Sequence, residues 1–170
     1  MKWIGALLFI SATTWVGFDV SYRLNNRPTH IRQLKNALQI LEAEILYSQL
    51  SLKDAFQTIG KQTPHPINTF FKQMAIHLEN KTTSLYPIWE KQVECLMVHS
   101  CLRSNEKEIL LQFGQTLGQH DFNQQQKHIA LTIHHLNREL EEARINQSKY
   151  SKMAKGLGVL CGLFVVLLLL

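Results

Sequence analysis

Two apolar runs, residues 3–18 and 155–170, bracket this chain and limit its fold more than anything between them. The second reads KGLGVLCGLFVVLLLL and lacks the polar face that a soluble surface helix needs. A membrane span takes about 20 apolar residues to cross about 30 Å of hydrocarbon. Residues 156–170 supply about 22 Å of helix. Adding Met153 and Ala154, with Lys155 snorkelling to the headgroups, brings about 27 Å. The closing run is therefore read as a transmembrane helix. The opening run, preceded by Lys2, also fits a short signal peptide. Its apolar character continues through Trp15, Val16 and Phe18 without an A-x-A cleavage site. That favours an uncleaved anchor, with Trp3, Trp15 and Tyr22 at the membrane interface.

These readings divide the chain into an N-terminal membrane anchor over residues 1–22, a soluble helical domain over 23–152 and a transmembrane helix over 153–170. Both termini then share one side of the membrane and the domain faces the other. The formal net charge is +5, and its cations gather beside the apolar runs. Arg23, Arg27, Arg32 and Lys35 follow the first run; Lys149, Lys152 and Lys155 precede the second. Cations so placed suit the anionic headgroups of membrane lipids and argue against nucleic acid as a partner. Their surplus on the domain side puts the domain in the cytoplasm. Cys95, Cys101 and Cys161 form no framework of paired spacings, which fits a reducing compartment. One Cys95–Cys101 bridge stays open.

Between the runs the periodicity is helical throughout, which predicts an all-α bundle. Ile31, Leu34, Leu38, Leu41 and Ile45 recur at spacings of three and four, and Pro28 suits the start of that helix. A second helix is expected over 50–60, capped by Ser51, with Asp54 in its first turn and Gly60 as its stop. Thr63-Pro64-His65-Pro66 marks a loop. Ile67, Phe70, Phe71, Met74 and Leu78 form a third stripe, and Ile88, Trp89, Val93 and Leu96 a fourth. Asn105 with Glu108 resembles a capping box before Ile109, Phe113 and Leu117. Asp121 with Gln124 opens a final helix carrying Ile129, Ile133, Leu136, Leu140 and Ala143. Neither glycine nor proline interrupts residues 122–155, so that helix forms a rod of about 51 Å running into the closing span.

No motif carries catalysis, a cofactor or a metal. His128 and His135 lie a heptad apart, but no carboxylate completes a ligand spacing such as H-E-x-x-H. Solvated helix histidines are the ordinary reading of them. Glu139, Glu141 and Glu142 sit among Arg138, Arg144 and Lys149 and read as a solvated, ion-paired face. Glu42 and Glu44 point in different directions on their helix, so only one of them can easily face the core, and a buried acid there would need a partner. Gly114 and Gly118 fall at a G-x-x-x-G spacing in a polar segment, which indicates close packing or a helix end at Gly118.

The stretch 110–129, LLQFGQTLGQHDFNQQQKHI, resembles the hallmark segment of the stage III sporulation protein AB family. So do KWIGA at 2–6, TWVGF at 14–18, IRQLKNALQILEAEI at 31–45 and YSKMAKGLGVL at 150–160. The resemblance implies a subunit of the assembly connecting mother cell and forespore during endospore formation. That family is similar to the inner-membrane platform protein of type II secretion and type IV pilus machines. Here LEAEILYSQLSLKDAF at 41–56 resembles the platform's helix–turn–helix, with Ser48-Gln49 standing where that pattern carries glycine. The implied partners are other stage III sporulation A-complex proteins, above all the secretion-type ATPase, stage III sporulation protein AA. Self-association as a homo-oligomer stays open.

The combined expectation is a non-catalytic membrane scaffold whose stiff last helix transmits force to the bilayer. Two or three glycines near Glu141 would then uncouple domain from membrane. The alternatives are a membrane-anchored chaperone or sensor, binding soluble clients through an exposed patch around Phe70, Phe71 and Trp89, and a metalloenzyme built on the long-helix histidines.

Overall fold

The described residues, 2–46, 50–79, 84–118 and 122–169, form six helices in a computed structural model. Side chains are described over 21–45, 50–79, 84–118 and 124–150. The helices are α1 (Lys2–Leu46), α2 (Leu52–Gln62), α3 (Ile67–Glu79), α4 (Leu85–His99), α5 (Ser104–Thr116) and α6 (Phe122–Leu169). No strand occurs among the described residues. α1 packs against α6, α2 and α3, while α5 bridges α4 and α6. The amide of Gln147 on α6 donates to the Oδ1 of Asn25 on α1 at 3.4 Å and Arg27 meets Glu139 at 3.2 Å, so rising positions on α1 face falling positions on α6 and the two helices are antiparallel.

Helix limits follow local chemistry in some places and tertiary demand in others. The Ser51 hydroxyl accepts from the Asp54 N–H at 3.2 Å and so caps α2 as its sequence predicts. Gly60 does not stop α2. The helix runs on to Gln62, because α3 crosses so closely at Gly60 that an added Cβ would stand 3.3 Å from the Lys72 amide nitrogen. The stop is Thr63, whose N–H and hydroxyl both bond the Ile59 carbonyl, at 3.0 and 2.8 Å. Pro28 likewise does not start a helix; it lies inside α1, which continues through it. A proline there removes one backbone hydrogen bond. Arg27 and Ile31, both buried, pack on either side of it. α5 begins at Ser104 rather than after Asn105, and the carboxylate reaching back to the cap is that of Glu106, not Glu108. Asp121, read as the cap of α6, and Ser48-Gln49 in the first turn lie outside the described residues.

The core is an aromatic cluster with Trp89 at its centre. Phe70 meets the indole edge-on with centroids 5.0 Å apart, Phe113 lies at 5.6 Å and Phe56 at 6.2 Å. Phe71 joins through Phe56 at 5.4 Å. One ring system thus ties α2, α3, α4 and α5 together. Phe70, Phe71 and Trp89 are buried, so the patch expected to receive clients is core. The indole N–H donates to the Leu110 carbonyl at 2.7 Å, which is reachable because the next turn of α5 presents Gly114. A Cβ at Gly114 would fall 2.2 Å from Trp89 Cδ1. Gly118 has φ +77 just beyond the end of α5, the left-handed position that closes many helices. Both roles expected of the G-x-x-x-G pair are therefore present, one at each glycine.

Among the described residues no helix is long and apolar enough to cross a membrane. The side chains of residues 1–20 and 151–170, which carry the expected anchor and span, lie outside the described set, and only the helical course of α1 and α6 is given there.

Gly114→Ala should destabilise the protein by about 2–3 kcal/mol, since a buried tryptophan has no room to yield and overpacking outweighs the better helix propensity of alanine. Chemical denaturation of the full chain checks it. Stability equal to or above that of the parent would mean that Trp89 does not bear on this glycine.

Candidate functional site

Arg27 was grouped with cations at the lipid surface by its sequence neighbourhood, but it is buried, with 3% of its surface exposed. It lies in phase with the core stripe of α1, one turn before Ile31. Two acids meet it there. Glu106, in the first turn of α5, is fully buried, and Glu139, midway along α6, is 2% exposed. Arg27 Nη2 donates to Glu106 Oε1 at 2.6 Å and to Glu139 Oε2 at 3.2 Å, and Nε donates to Glu106 Oε1 at 3.1 Å. The second Glu106 oxygen accepts from the Arg103 N–H at 2.5 Å, which caps α5. Asn105 Nδ2 donates to Glu139 Oε2 at 3.2 Å. At the rim, Glu142 stands 3.7 Å from Arg27 Nη1, and Arg138 stands 3.6 Å from Glu139 Oε1. Nη1 itself is buried without a hydrogen-bond partner, because 3.7 Å is an ion-pair distance and not a hydrogen bond.

A second tie runs beside the first. His30 Nδ1, one turn along α1 from Arg27, accepts the Cys101 N–H at 2.9 Å. The connection between α4 and α5 is thus held to α1 by an imidazole and, through Glu106, by a guanidinium. Burial, and then the charge of His65, hold the His30 pKa below its ordinary 6.5. The neutral ring is the form that can accept from an amide at Nδ1.

The other sequence candidates fall elsewhere. Glu139 is not on a solvated face, because α5 covers that side of α6; Glu141 and Glu142 are exposed as expected. Glu42 and Glu44 are both half-exposed near the end of α1, so the buried acids lie in other helices. His128 and His135 are half-buried and His134 is exposed, with the His134 and His135 rings stacked at 6.2 Å. Among the described residues no group of three or more histidine, cysteine or acidic side chains is placed to hold a metal. Cys95 and Cys101 are not joined by a disulfide.

Chemically, the Arg27 junction is sealed. None of its three buried groups lines a described cavity, and each carboxylate is already engaged by a guanidinium and a second donor. The arrangement fixes three helices against one another. A signal for it did exist in the sequence. Arg27 precedes Ile31 by four, Glu106 precedes Leu110 by four, and Glu139 follows Leu136 by three, so each charge sits in the phase of a buried stripe.

Residues 2–170 match the family model described as stage III sporulation protein AB. The chain belongs to that family. Stage III sporulation protein AB of Bacillus subtilis (strain 168) is 42% identical over 170 residues, covering 100% of this chain and 99% of the relative. A solved structure of stage III sporulation protein AB matches with a TM-score of 0.68 at 40% identity, over 73% of this chain and 98% of the solved one. The family is one of sporulation proteins, and the bundle is its fold.

Two outcomes follow from the site. Arg27→Met should cost about 3–5 kcal/mol by stranding two buried carboxylates, and adding Glu106→Gln and Glu139→Gln should recover much of it. An equal loss in the single and triple variants, read by urea denaturation, would assign the effect to the arginine's packed stem. For His30, the folded state binds fewer protons than the unfolded chain between the lowered pKa and 6.5. Its contribution is therefore complete above about pH 6.5 and declines as pH falls through that window. His30→Gln should flatten the stability profile there; a profile unchanged by the substitution would reject the assignment.

Proposed function

We propose that this chain is a non-catalytic, membrane-anchored scaffold of the mother cell–forespore channel complex, with its helical domain, residues 23–152, in the cytoplasm. The supporting observation is the α1–α6 hairpin. Asn25 and Gln147 lie at one level of that antiparallel pair. From that level α1 runs back to Lys2 over about 34 Å and α6 on to Leu169 over about 33 Å, in the same direction because the pair is antiparallel. Hydrocarbon thickness is about 30 Å, so two arms of matched length and apolar sequence suit one two-span anchor. The relevant partners are then membrane lipids and other stage III sporulation proteins, with the secretion-type ATPase foremost among the latter. Rigid ties at Arg27 and His30 suit a part that holds position under load. The chaperone reading loses its support, since the aromatic patch it needs is core.

Membrane-permeable cross-linking in sporulating cells, followed by affinity capture and mass spectrometry, tests the partner assignment. Recovery of the ATPase, lost when residues 23–152 are deleted but both runs remain, is expected. Recovery of many unrelated soluble proteins would favour client binding instead. A lever test belongs beyond the junction and not near Glu141, whose neighbours Leu140 and Ala143 are core. Ser148→Gly with Lys149→Gly lies at exposed positions between bundle and closing run. It should cost at most about 2 kcal/mol of stability, yet sharply reduce spore formation. Full sporulation would count against a stiff coupling.

A further inference from the structure

A trough of about 400 Å³ lies between α3 and α4. Pro66, Phe70 and Leu96, all buried, form its floor, and Thr69, Gln73, Cys95 and His99, all exposed, form its rims. These residues span 66–73 beside α3 and 92–99 on α4, about 10 Å of each helix. Gln92 lies inside. It is 9% exposed, and its amide makes no hydrogen bond among the described residues. Arg27 Nη1 and Gln33 Oε1 are the described side-chain atoms sealed from solvent without a partner; the Gln92 amide is not sealed, and the opening it lines is this trough. Its neighbours at the rim have partners: the His99 Nδ1–H donates to the Cys95 carbonyl at 2.9 Å, and the Thr69 hydroxyl donates to Asn68 Oδ1 at 3.1 Å. A largely buried amide with neither donor nor acceptor engaged is costly, and an occupant that supplies both restores it.

The chemistry of the lining selects the occupant. No carboxylate, lysine or arginine occurs among its described residues. The charges of α4 fall outside it: Glu90, Lys91 and Glu94 are exposed on other faces, and Glu94 stands 3.6 Å from Lys107 of α5. Depletion of charge from part of an otherwise charged surface is the mark of an interface centre. A primary amide offers an acceptor and two donors, which one peptide unit answers with its N–H and C=O. A small molecule would stay uncovered here, since sites for such ligands enclose most of the ligand, whereas both rims stand open over about two helical turns. We propose that the α3–α4 trough is a docking site for a partner polypeptide. The partner lays a bulky, uncharged apolar side chain over Phe70 and Leu96 and pairs the adjoining peptide group with the Gln92 amide. The trough is separate from the Arg27 junction, and its role does not depend on the membrane-anchor reading.

The test uses the full chain in lipid nanodiscs, with empty nanodiscs as the blank and saturation-transfer difference NMR as the readout. The probes are N-acetyl-L-phenylalaninamide, the capped pentapeptide acetyl-Ala-Ala-Phe-Ala-Ala-amide, ethylbenzene and decanoate. The capped residue should bind with a Kd on the order of 1 mM, as a fragment of its size would, and the pentapeptide more tightly. Gln92→Met keeps the length of the side chain and removes both amide atoms. It should weaken both amide probes about tenfold and leave ethylbenzene unchanged. Cys95→Trp, at an exposed rim position, fills the trough from outside without entering the core and should abolish binding of both. Val98→Thr, exposed on α4 outside the lining, should change nothing. If Gln92→Met fails to fold, judged by its denaturation midpoint, Cys95→Trp decides. Unaltered affinity in a folded Gln92→Met or in Cys95→Trp, an equal loss in Val98→Thr, or no binding by either amide probe overturns the site. A capped residue that binds while the pentapeptide is excluded makes it a small-molecule site, and decanoate preferred over both makes it an acyl-chain site. Either of those outcomes overturns the polypeptide assignment.

Discussion

A guanidinium shut away from water beside two carboxylates constrains everything else in this bundle. Taking such charges out of water costs several kcal/mol each, and only close, complete pairing offsets it. The pairing of Arg27 with Glu106 and Glu139 is therefore weak evidence of net stability and strong evidence of register. A slip of α1 along α6 by one turn would leave a carboxylate or the guanidinium buried alone. Apolar stripes of leucine and isoleucine tolerate such slips far better, because one methyl-lined groove is much like the next. The junction thus sets the register of the two long helices, and Asn25 with Gln147 adds a contact in the same register.

The aromatic cluster does a different job. Trp89 joins four helices through ring contacts, and a single hydrogen bond to the Leu110 carbonyl orients it. Bulk and shape fix the distal half of the domain, whereas charge fixes the half nearest the apolar runs. Ionic ties resist the sliding of one helix along another, whereas ring contacts fill space.

Much of the architecture was legible in periodicity alone. The apolar stripes of α1, α3 and α6, the Ser51 cap, the 63–66 turn and the two roles of Gly114 and Gly118 all stand where spacing and backbone chemistry put them. Misreadings arose where a tertiary neighbour changed a residue's meaning. Gly60 was read as a stop because glycine weakens helices, yet it serves the crossing of α3. Pro28 was read as a start because proline breaks helices, yet packing on either side carries α1 through it. The neighbourhood of Arg27 suggests a lipid-facing cation and that of Glu139 a solvated, ion-paired face, although both lie in the phase of buried positions.

The sequence by itself determined the helical class, the identity of the core residues and the family, since all three reside in local order: spacing, caps and contiguous motifs. Only the tertiary structure decided which charges are inside. Residues 27, 106 and 139 are far apart along the chain, and nothing local tells a charged residue in a core phase whether a partner will meet it. Burial and pairing are properties of the assembled helices, because the free energy of a charge depends on what surrounds it and not on its neighbours in sequence.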